Sequence, residues 1–267
     1  MIDRNSIMAW YEHAPWTEPQ MVEQDLIISR ALVDIFSDKF LSENLAFRGG
    51  TALHKLYLLP QVRYSEDIDL VQVHSGPIKE ILGRLHDILD WIPDHVVKQK
   101  KYNNTMFFRT ESEIPPVQPI RLKLEINCFE HFNVLGYHKV PFEVINPWFS
   151  GKALLNTYSL EELLGTKLRA LYQRKKGRDL YDMQIALENS KVDLDLVFKC
   201  YCRYMEFSVG QIPTYRQFTK NLEEKLEDSE FTSDMDILQR PGATTFNPFD
   251  AYKTIKDVFA YRMPGRR

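Results

Sequence analysis

Cysteine is scarce in this chain of 267 residues. Cys128, Cys200 and Cys202 cannot build a disulfide framework, and Cys200 with Cys202 forms a lone C-x-C pair with no second pair to complete a zinc site. The three read as reduced thiols, as expected of a cytoplasmic protein. A surplus of positive charge is missing too: 34 Lys and Arg stand against 37 Asp and Glu, for a net charge of -3. That excludes a protein that coats nucleic acid through a general field and confines any such contact to a local patch. No apolar run approaches the ~20 residues that span a bilayer, so no membrane partner is expected. The start, Met-Ile-Asp-Arg, lacks the cationic segment and apolar core of a secretory leader. Neither G-x-x-x-x-G-K-[ST] nor G-x-G-x-x-G occurs, which removes the Walker and dinucleotide-binding loops. Internal repeats and low-complexity segments are absent as well.

What remains is an ordinary globular composition, 44% hydrophobic and 27% charged, in a chain long enough for a substantial core. Residues 18 to 41 place Leu26, Ile27, Ala31, Val33, Ile35 and Phe36 at helical spacing and predict one amphipathic helix. The apolar stretch Leu45-Ala46-Phe47 runs into Gly49-Gly50-Thr51, and a helical pattern follows from Ala52 to about Leu58. Residues 65 to 72 read as a strand and 78 to 92 as a helix. Residues 106 to 110 and 121 to 127 read as further strands, with a proline-rich turn at 115 to 119 between them. From Ser159 onward the pattern is helical, with breaks near Gly177, Pro213 and Pro241. The expected fold class is α/β (α+β), with a core over residues 1–155 and a mainly helical part over 156–267. The transition is placed around Pro147 to Thr157.

Ser65-Glu66-Asp67-Ile68-Asp69-Leu70 carries the chemistry. On a strand Asp67 and Asp69 share one face while Ile68 and Leu70 share the other. Two carboxylates held that close repel one another, which raises their pKa values or calls for a cation between them. Oxygen ligands suit Mg²⁺ or Mn²⁺ rather than zinc. By itself, D-x-D more often marks the solvated face of an edge strand, so its neighbours must decide. Arg121 to Asn127 alternates polar and apolar residues and sets Glu125 on one face with Arg121 and Lys123. If the two strands are adjacent, Glu125 completes a carboxylate triad; otherwise it is part of an ordinary amphipathic strand. Gly49-Gly50-Thr51 lies between strand and helix, where backbone N–H groups approach an anion and a helix N-terminus favours negative charge.

Downstream, Ser159-Leu160-Glu161-Glu162 has the S-x-x-E form that starts a helix. Winding that helix places Lys167 on the face of Leu160, Leu164 and Leu171. A lysine there either snorkels or delivers a cation to a buried anionic site. Arg174-Lys175-Lys176-Gly177-Arg178 then precedes Asp179 and Asp182, which share a helix face, with Arg178 in reach of Asp182 at i,i+4.

Together these segments resemble the AbiEii/AbiGii toxin family, a branch of the DNA polymerase β-like nucleotidyltransferases. The resemblance is carried by Phe47 to Leu53, Arg63 to Leu70, the strand of Glu125, Thr166 to Leu171, and Lys176 to Asp182, in the family's order. It implies a polymerase β-like nucleotidyltransferase core with a helical C-terminal part that contributes Lys167 and Asp182 to the site. Asp67, Asp69 and Glu125 are the implied metal ligands. Gly49, Gly50, Thr51, Ser65 and Arg178 are implied for the nucleotide, and Lys167, Asp179 and Asp182 for catalysis. The resemblance further implies a cytoplasmic toxin of a type IV toxin–antitoxin or abortive-infection system, with a separately encoded antitoxin. It would use Mg²⁺ or Mn²⁺ and a nucleoside triphosphate, and its acceptor would be an RNA such as the tRNA 3′ end. The rival expectations are transfer to a small molecule or a protein hydroxyl, and a catalytically silent nucleotide-binding module.

Overall fold

Asp3 accepts the backbone N–H of Ser6 and starts the first helix of the computed structural model, α1 (Arg4–Trp10), in a structure that describes residues 2–265. Helix α2 (Pro19–Ser37) begins on proline, whose missing N–H costs nothing in a first turn. It ends earlier than the apolar spacing suggests. Asp38 turns extended and accepts the Leu41 N–H, so a separate short helix, α3 (Lys39–Asn44), covers the end of the predicted segment.

Strand β1 (Leu45–Arg48) leads directly into α4 (Gly49–Leu56), so both glycines lie in the first turn of the helix predicted to start at Ala52. After β2 (Asp67–Gln72) and α5 (Lys79–Ile88) come β3 (His95–Gln99), β4 (Asn103–Glu111) and β5 (Pro119–Asn127). A hairpin, β6 (Tyr137–Ile145) and β7 (Ser150–Tyr158), follows. Among the described residues the seven strands form one sheet in the order β3-β4-β5-β2-β1-β7-β6. The segment expected as a transition, Pro147 to Thr157, is therefore mostly a paired strand. Its burial rises only toward its end, which hides a period of two from a reader of sequence.

The centre of the sheet positions the site. β2 is antiparallel to β1, with Arg48 opposite Asp69. On its other side β2 runs parallel to β5, with Asp67 opposite Lys123 and Asp69 opposite Glu125. Ile68, Leu70, Leu124 and Ile126 are buried, which pins the register, because a one-residue slip would turn all of them over. Helix α2 packs against β5, β6 and β7, with Leu26, Ile28, Ala31 and Leu32 fully buried.

The chain divides between Tyr158 and Ser159 into two compact units. The second is helical: α6 (Leu160–Gln173), α7 (Gly177–Asn189), α8 (Leu194–Val209), α9 (Tyr215–Leu226), α10 (Ser229–Thr232) and α11 (Pro248–Phe259). Ser159 caps α6 by accepting the Glu162 N–H, as the S-x-x-E spacing predicts. Gly165 lets α6 and α8 touch, since a Cβ there would lie 2.6 Å from the Cβ of Cys200 and 2.9 Å from the Tyr201 nitrogen. Among the described residues no helix is long and apolar enough to cross a membrane.

Candidate active site

Three acids from adjacent central strands stand on one face of the first unit. Asp67 and Asp69 alternate with buried Ile68 and Leu70, and Glu125 lies beside Asp69 across the parallel β2–β5 pair. Glycine fits Asp69 closely. Gly49 has φ +82°, and a Cβ built on it would lie 2.1 Å from Oδ2 of Asp69, so this position requires glycine for conformation and for space. Gly50 answers to different neighbours, since its Cβ would fall 2.5 Å from Nη2 of Arg63 and 3.4 Å from the Ser65 hydroxyl.

Thr51 is buried. Its hydroxyl donates to the Asp67 carbonyl and lies 2.8 Å from the Ser65 hydroxyl. In this geometry Thr51 ties the first turn of α4 to the start of β2, so that glycine turn and acidic strand move as one piece.

Lys123, which no expectation singled out, stands among the acids. Its Nζ is 2.7 Å from Oε2 of Glu125 and 3.5 Å from Oδ2 of Asp67. Asn103 donates to the other oxygen of Glu125. On the far side of Asp69, Arg48 pairs with Glu130, itself held by backbone-to-Asn127 contacts. Arg48 and Arg63 lie within the sequence blocks that carry the family resemblance, but nothing in their spacing gave them partners. Lys123 was legible as a residue on Glu125's face and not as its partner.

The electrostatics follow from this count of charges. Burial, reinforced by the negative charge of Asp67, pushes the Asp69 carboxyl above its ordinary value. Burial also raises Asp67, and there Lys123 works against the shift. Burial would raise Glu125 as well, but its bonds from Lys123 and Asn103 more than offset that and hold it below the usual range. The group is thus three carboxylates facing the Lys123 ammonium and, beyond Asp69, the Arg48 guanidinium already paired with Glu130.

That donor set fits a hard divalent cation, being oxygen-only and short of positive charge. Asp67, Asp69 and Glu125 would hold it. Among the described residues no three acid, His or Cys side chains stand close enough as they are to hold a metal ion. The gap between Asp67 and Glu125 is where the lysine ammonium sits. A cavity of about 810 Å³ in the same unit lies elsewhere, lined by Glu23, Arg30, Trp91, Arg109, Glu111 and Pro119 among others. Pro119 and Glu125 are six residues apart on β5, roughly 20 Å along an extended strand.

The second unit has its own ionic cluster. Nζ of Lys167 lies 3.0 Å from Oδ1 of Asp179 and 2.9 Å from Oδ2 of Asp182, both acids being fully buried. Arg174 adds two bonds to Asp179, at 2.6 and 2.8 Å. Burial alone would raise the Asp179 carboxyl, but Lys167 and Arg174 outweigh it and hold it low. Arg178 is not engaged with Asp182 as the i,i+4 spacing suggested. Its N–H donates to Asp234 and its guanidinium lies 3.5 Å from the same carboxylate, while Lys167 takes Asp182.

The chain thus presents three acids beside a glycine turn on a seven-stranded mixed sheet, and the comparisons say what kind of protein this is. The profile of the family described as nucleotidyl transferase AbiEii toxin, type IV TA system, matches residues 30–254. The chain belongs to that family and is a toxin nucleotidyltransferase. Among solved structures it is similar to MenT4, a nucleotidyltransferase toxin from Mycobacterium tuberculosis H37Rv. That likeness has a TM-score of 0.65 at 16% identity and covers 98% of this chain and 89% of the other. It is similar also to JHP933 from Helicobacter pylori, with a TM-score of 0.58 at 19% identity over 92% of each chain. At such identities the likeness concerns the fold. A search of curated proteins finds no match.

Proposed function

We propose that this toxin transfers a nucleotide from a nucleoside triphosphate to the 3′ end of an RNA such as tRNA, in a reaction that needs Mg²⁺ or Mn²⁺. The observation that supports the chemistry is the placement of Asp67, Asp69 and Glu125 on one face of adjacent strands, with Gly49 backed onto Asp69. An acceptor hydroxyl attacks the α-phosphorus. The new P–O bond forms as the bond to the β-phosphate oxygen breaks, and pyrophosphate leaves. A divalent cation, when bound, would neutralise phosphate charge and stabilise the attacking and leaving oxygens.

The chain's own residues do the rest. Asp67 and Asp69 would hold the cation, and Glu125 would help to hold it or accept the proton of the attacking hydroxyl. Gly49 and Gly50 bring the backbone of α4's first turn near the terminal phosphates, and the Ser65 hydroxyl faces the same turn. Thr51 keeps that turn on the strand. Lys167, Asp179 and Asp182 stay in this reading through the order of the family segments, as does Arg178, whose neighbours in the second unit are Asp234 and the basic segment from Arg174. The RNA acceptor is supported by the resemblance and by that local run of basic residues in a chain with no general positive field. Type IV membership supports a separately encoded antitoxin as partner, and the cytoplasm, where tRNA is found, is the proposed place of action.

The test is direct. Purified protein is incubated with each labelled triphosphate, Mg²⁺ and total RNA, with small-molecule and protein acceptors in parallel. Label migrating with tRNA-sized RNA is expected. Label on a protein or small molecule instead would replace the acceptor, and nucleotide binding with no pyrophosphate release under any acceptor would remove the enzymatic reading of these residues.

A further inference from the structure

Lys123 is the positive charge that β5 itself places inside the acidic cluster. It is opposite Asp67 in register and two residues before Glu125, so all three side chains project from one face of a parallel pair whose buried residues fix the alignment. Its ammonium makes a direct contact with Glu125 at 2.7 Å and a longer one with Asp67 at 3.5 Å. Both carboxylates are about a third exposed, and Lys123 itself is 27% exposed. A flexible four-carbon stem at that exposure can swing its head group away without unpacking the strand.

We infer that Lys123 is a tethered competitor for the divalent cation: it occupies the oxygens of Asp67 and Glu125 that the metal requires, and must leave them for the metal to enter. The inference rests on the reading of Asp67, Asp69 and Glu125 as metal ligands. It goes beyond that reading by giving the site a built-in threshold. A divalent ion arriving alone must displace an intramolecular ammonium already bonded to Glu125, which weakens its net binding. A triphosphate arriving with the ion offers the displaced ammonium a new anionic partner, so nucleotide and metal bind more tightly together than either does alone. Lys123 is on this view a positioning residue for the metal. It takes no proton and touches no reacting atom.

Lys123→Met keeps the length of the side chain and removes the charge, and Lys123→Arg keeps the charge. Mn²⁺ binding to the full chain is read by electron paramagnetic resonance, with and without a non-hydrolysable triphosphate analogue. Thermal melting of each variant confirms the fold. Lys123→Met is expected to bind Mn²⁺ alone about tenfold more tightly than the wild type, since one unit charge at close range is removed from a partly exposed site. It should also gain less from the analogue. Lys123→Arg should behave like the wild type. Should Lys123→Met fail to fold, Lys123→Gln carries the same expectation.

Asp69→Asn separates the two possible failures. If the wild type binds Mn²⁺, Asp69→Asn does not, and the uncharged Lys123 variants match the wild type, the competition is overturned while the metal site stands. If the wild type and Asp69→Asn bind Mn²⁺ equally poorly, with or without the analogue, the metal reading falls and takes this inference with it. An affinity lowered in both Lys123→Met and Lys123→Gln, restored in Lys123→Arg, would also overturn it, by making the ammonium an aid to the metal.

Discussion

The two units each gather acids around a lysine, and the two clusters are built on opposite principles. In the second unit Asp179 and Asp182 are fully buried and Lys167 nearly so, with two acids answered by Lys167 and Arg174. In the first unit three acids face the Lys123 ammonium and, beyond Asp69, an Arg48 already paired with Glu130. Asp67, Lys123 and Glu125 are all partly open to solvent. A balanced cluster whose acids and lysine are buried holds a fold together. An under-compensated, accessible one retains an appetite for positive charge. Burial drives the carboxyls at both places upward. What separates Asp179 from Asp69 is whether nearby cations outweigh burial, as they do for Asp179 and, unlike at neighbouring Glu125, do not for Asp69.

The sharpest way to break this comparison is Asp69→Asn. The change is isosteric and removes a charge that burial and Asp67 both oppose. Pyrophosphate release should fall to background, a loss of about a thousandfold or more, on the scale of deleting a principal electrostatic contact in an active site. The melting temperature should hold or rise, because a disfavoured charge has gone. Retained activity would sink the site assignment, and a large fall in melting temperature would mean that the first cluster is structural after all.

Asp179→Ala asks the reverse question of the balanced cluster. It takes from Lys167 one of its two carboxylates and from Arg174, whose side chain is about half exposed, a carboxylate partner. Lys167 keeps Asp182, so the loss is about 1–3 kcal/mol. Urea unfolding should show that loss. A cost under about 1 kcal/mol would show that the second cluster is not holding its helices. Activity of Lys167 or Asp182 variants is informative only on protein shown to be folded, because the same contacts serve both roles.

A smaller effect tests the coupling between glycine turn and acid. Gly49→Ala puts a methyl into the space of the Asp69 carboxylate and forces an L side chain to a positive φ. The left-handed conformation costs roughly 1–2 kcal/mol. Displacing Asp69 should lower turnover by about ten- to a hundredfold. Gly50→Ala, at an ordinary φ and against the buried Arg63 guanidinium rather than Asp69, should cost stability too but lower turnover less. Equal effects of the two on turnover would mean that the close fit of Gly49 to Asp69 is incidental.

The alternation of β2 made Asp67 and Asp69 legible from sequence, and the register of Glu125 followed once β5 proved to lie beside β2. Period-two patterns failed where strands are exposed. β3 is exposed at all five positions, and most of β6 is only partly covered, so neither has an apolar face to announce it. Lys167 stood out as a lysine among leucines, but its partners are set by how α6 packs on α7, which spacing alone does not give. Arg178 shows the same limit, since a favourable i,i+4 geometry to Asp182 lost to Lys167, and Asp234 drew the arginine away. Lys123 was overlooked because lysine on a polar strand face is ordinary. Its contact with Glu125 becomes informative only beside Asp67.

Glu23 sharpens the comparison from a third side, as a buried acid outside both clusters. It lies on α2 and accepts the backbone N–H of Glu113 at 3.0 Å. Burial, with the charge of Glu113 adding to it, lifts its carboxyl from 4.5 to about 7. Between those values the folded protein keeps a proton that the unfolded chain has released. Stability attributable to Glu23 is therefore full below about pH 4.5 and declines as pH rises towards 7. Glu23→Gln removes the titration and keeps an oxygen to accept the Glu113 N–H. Relative to the wild type it should gain roughly 1–3 kcal/mol on going from pH 5 to pH 8, read as a difference between two denaturation profiles. Asp67 and Asp69 titrate in both proteins, so they cancel in that difference. Parallel profiles would mean that Glu23 is not held protonated by the fold. With turnover unchanged, diverging profiles would establish that an elevated carboxyl is by itself no mark of a site in this chain, and that the neighbouring acids and the glycine turn around Asp69 are what distinguish it.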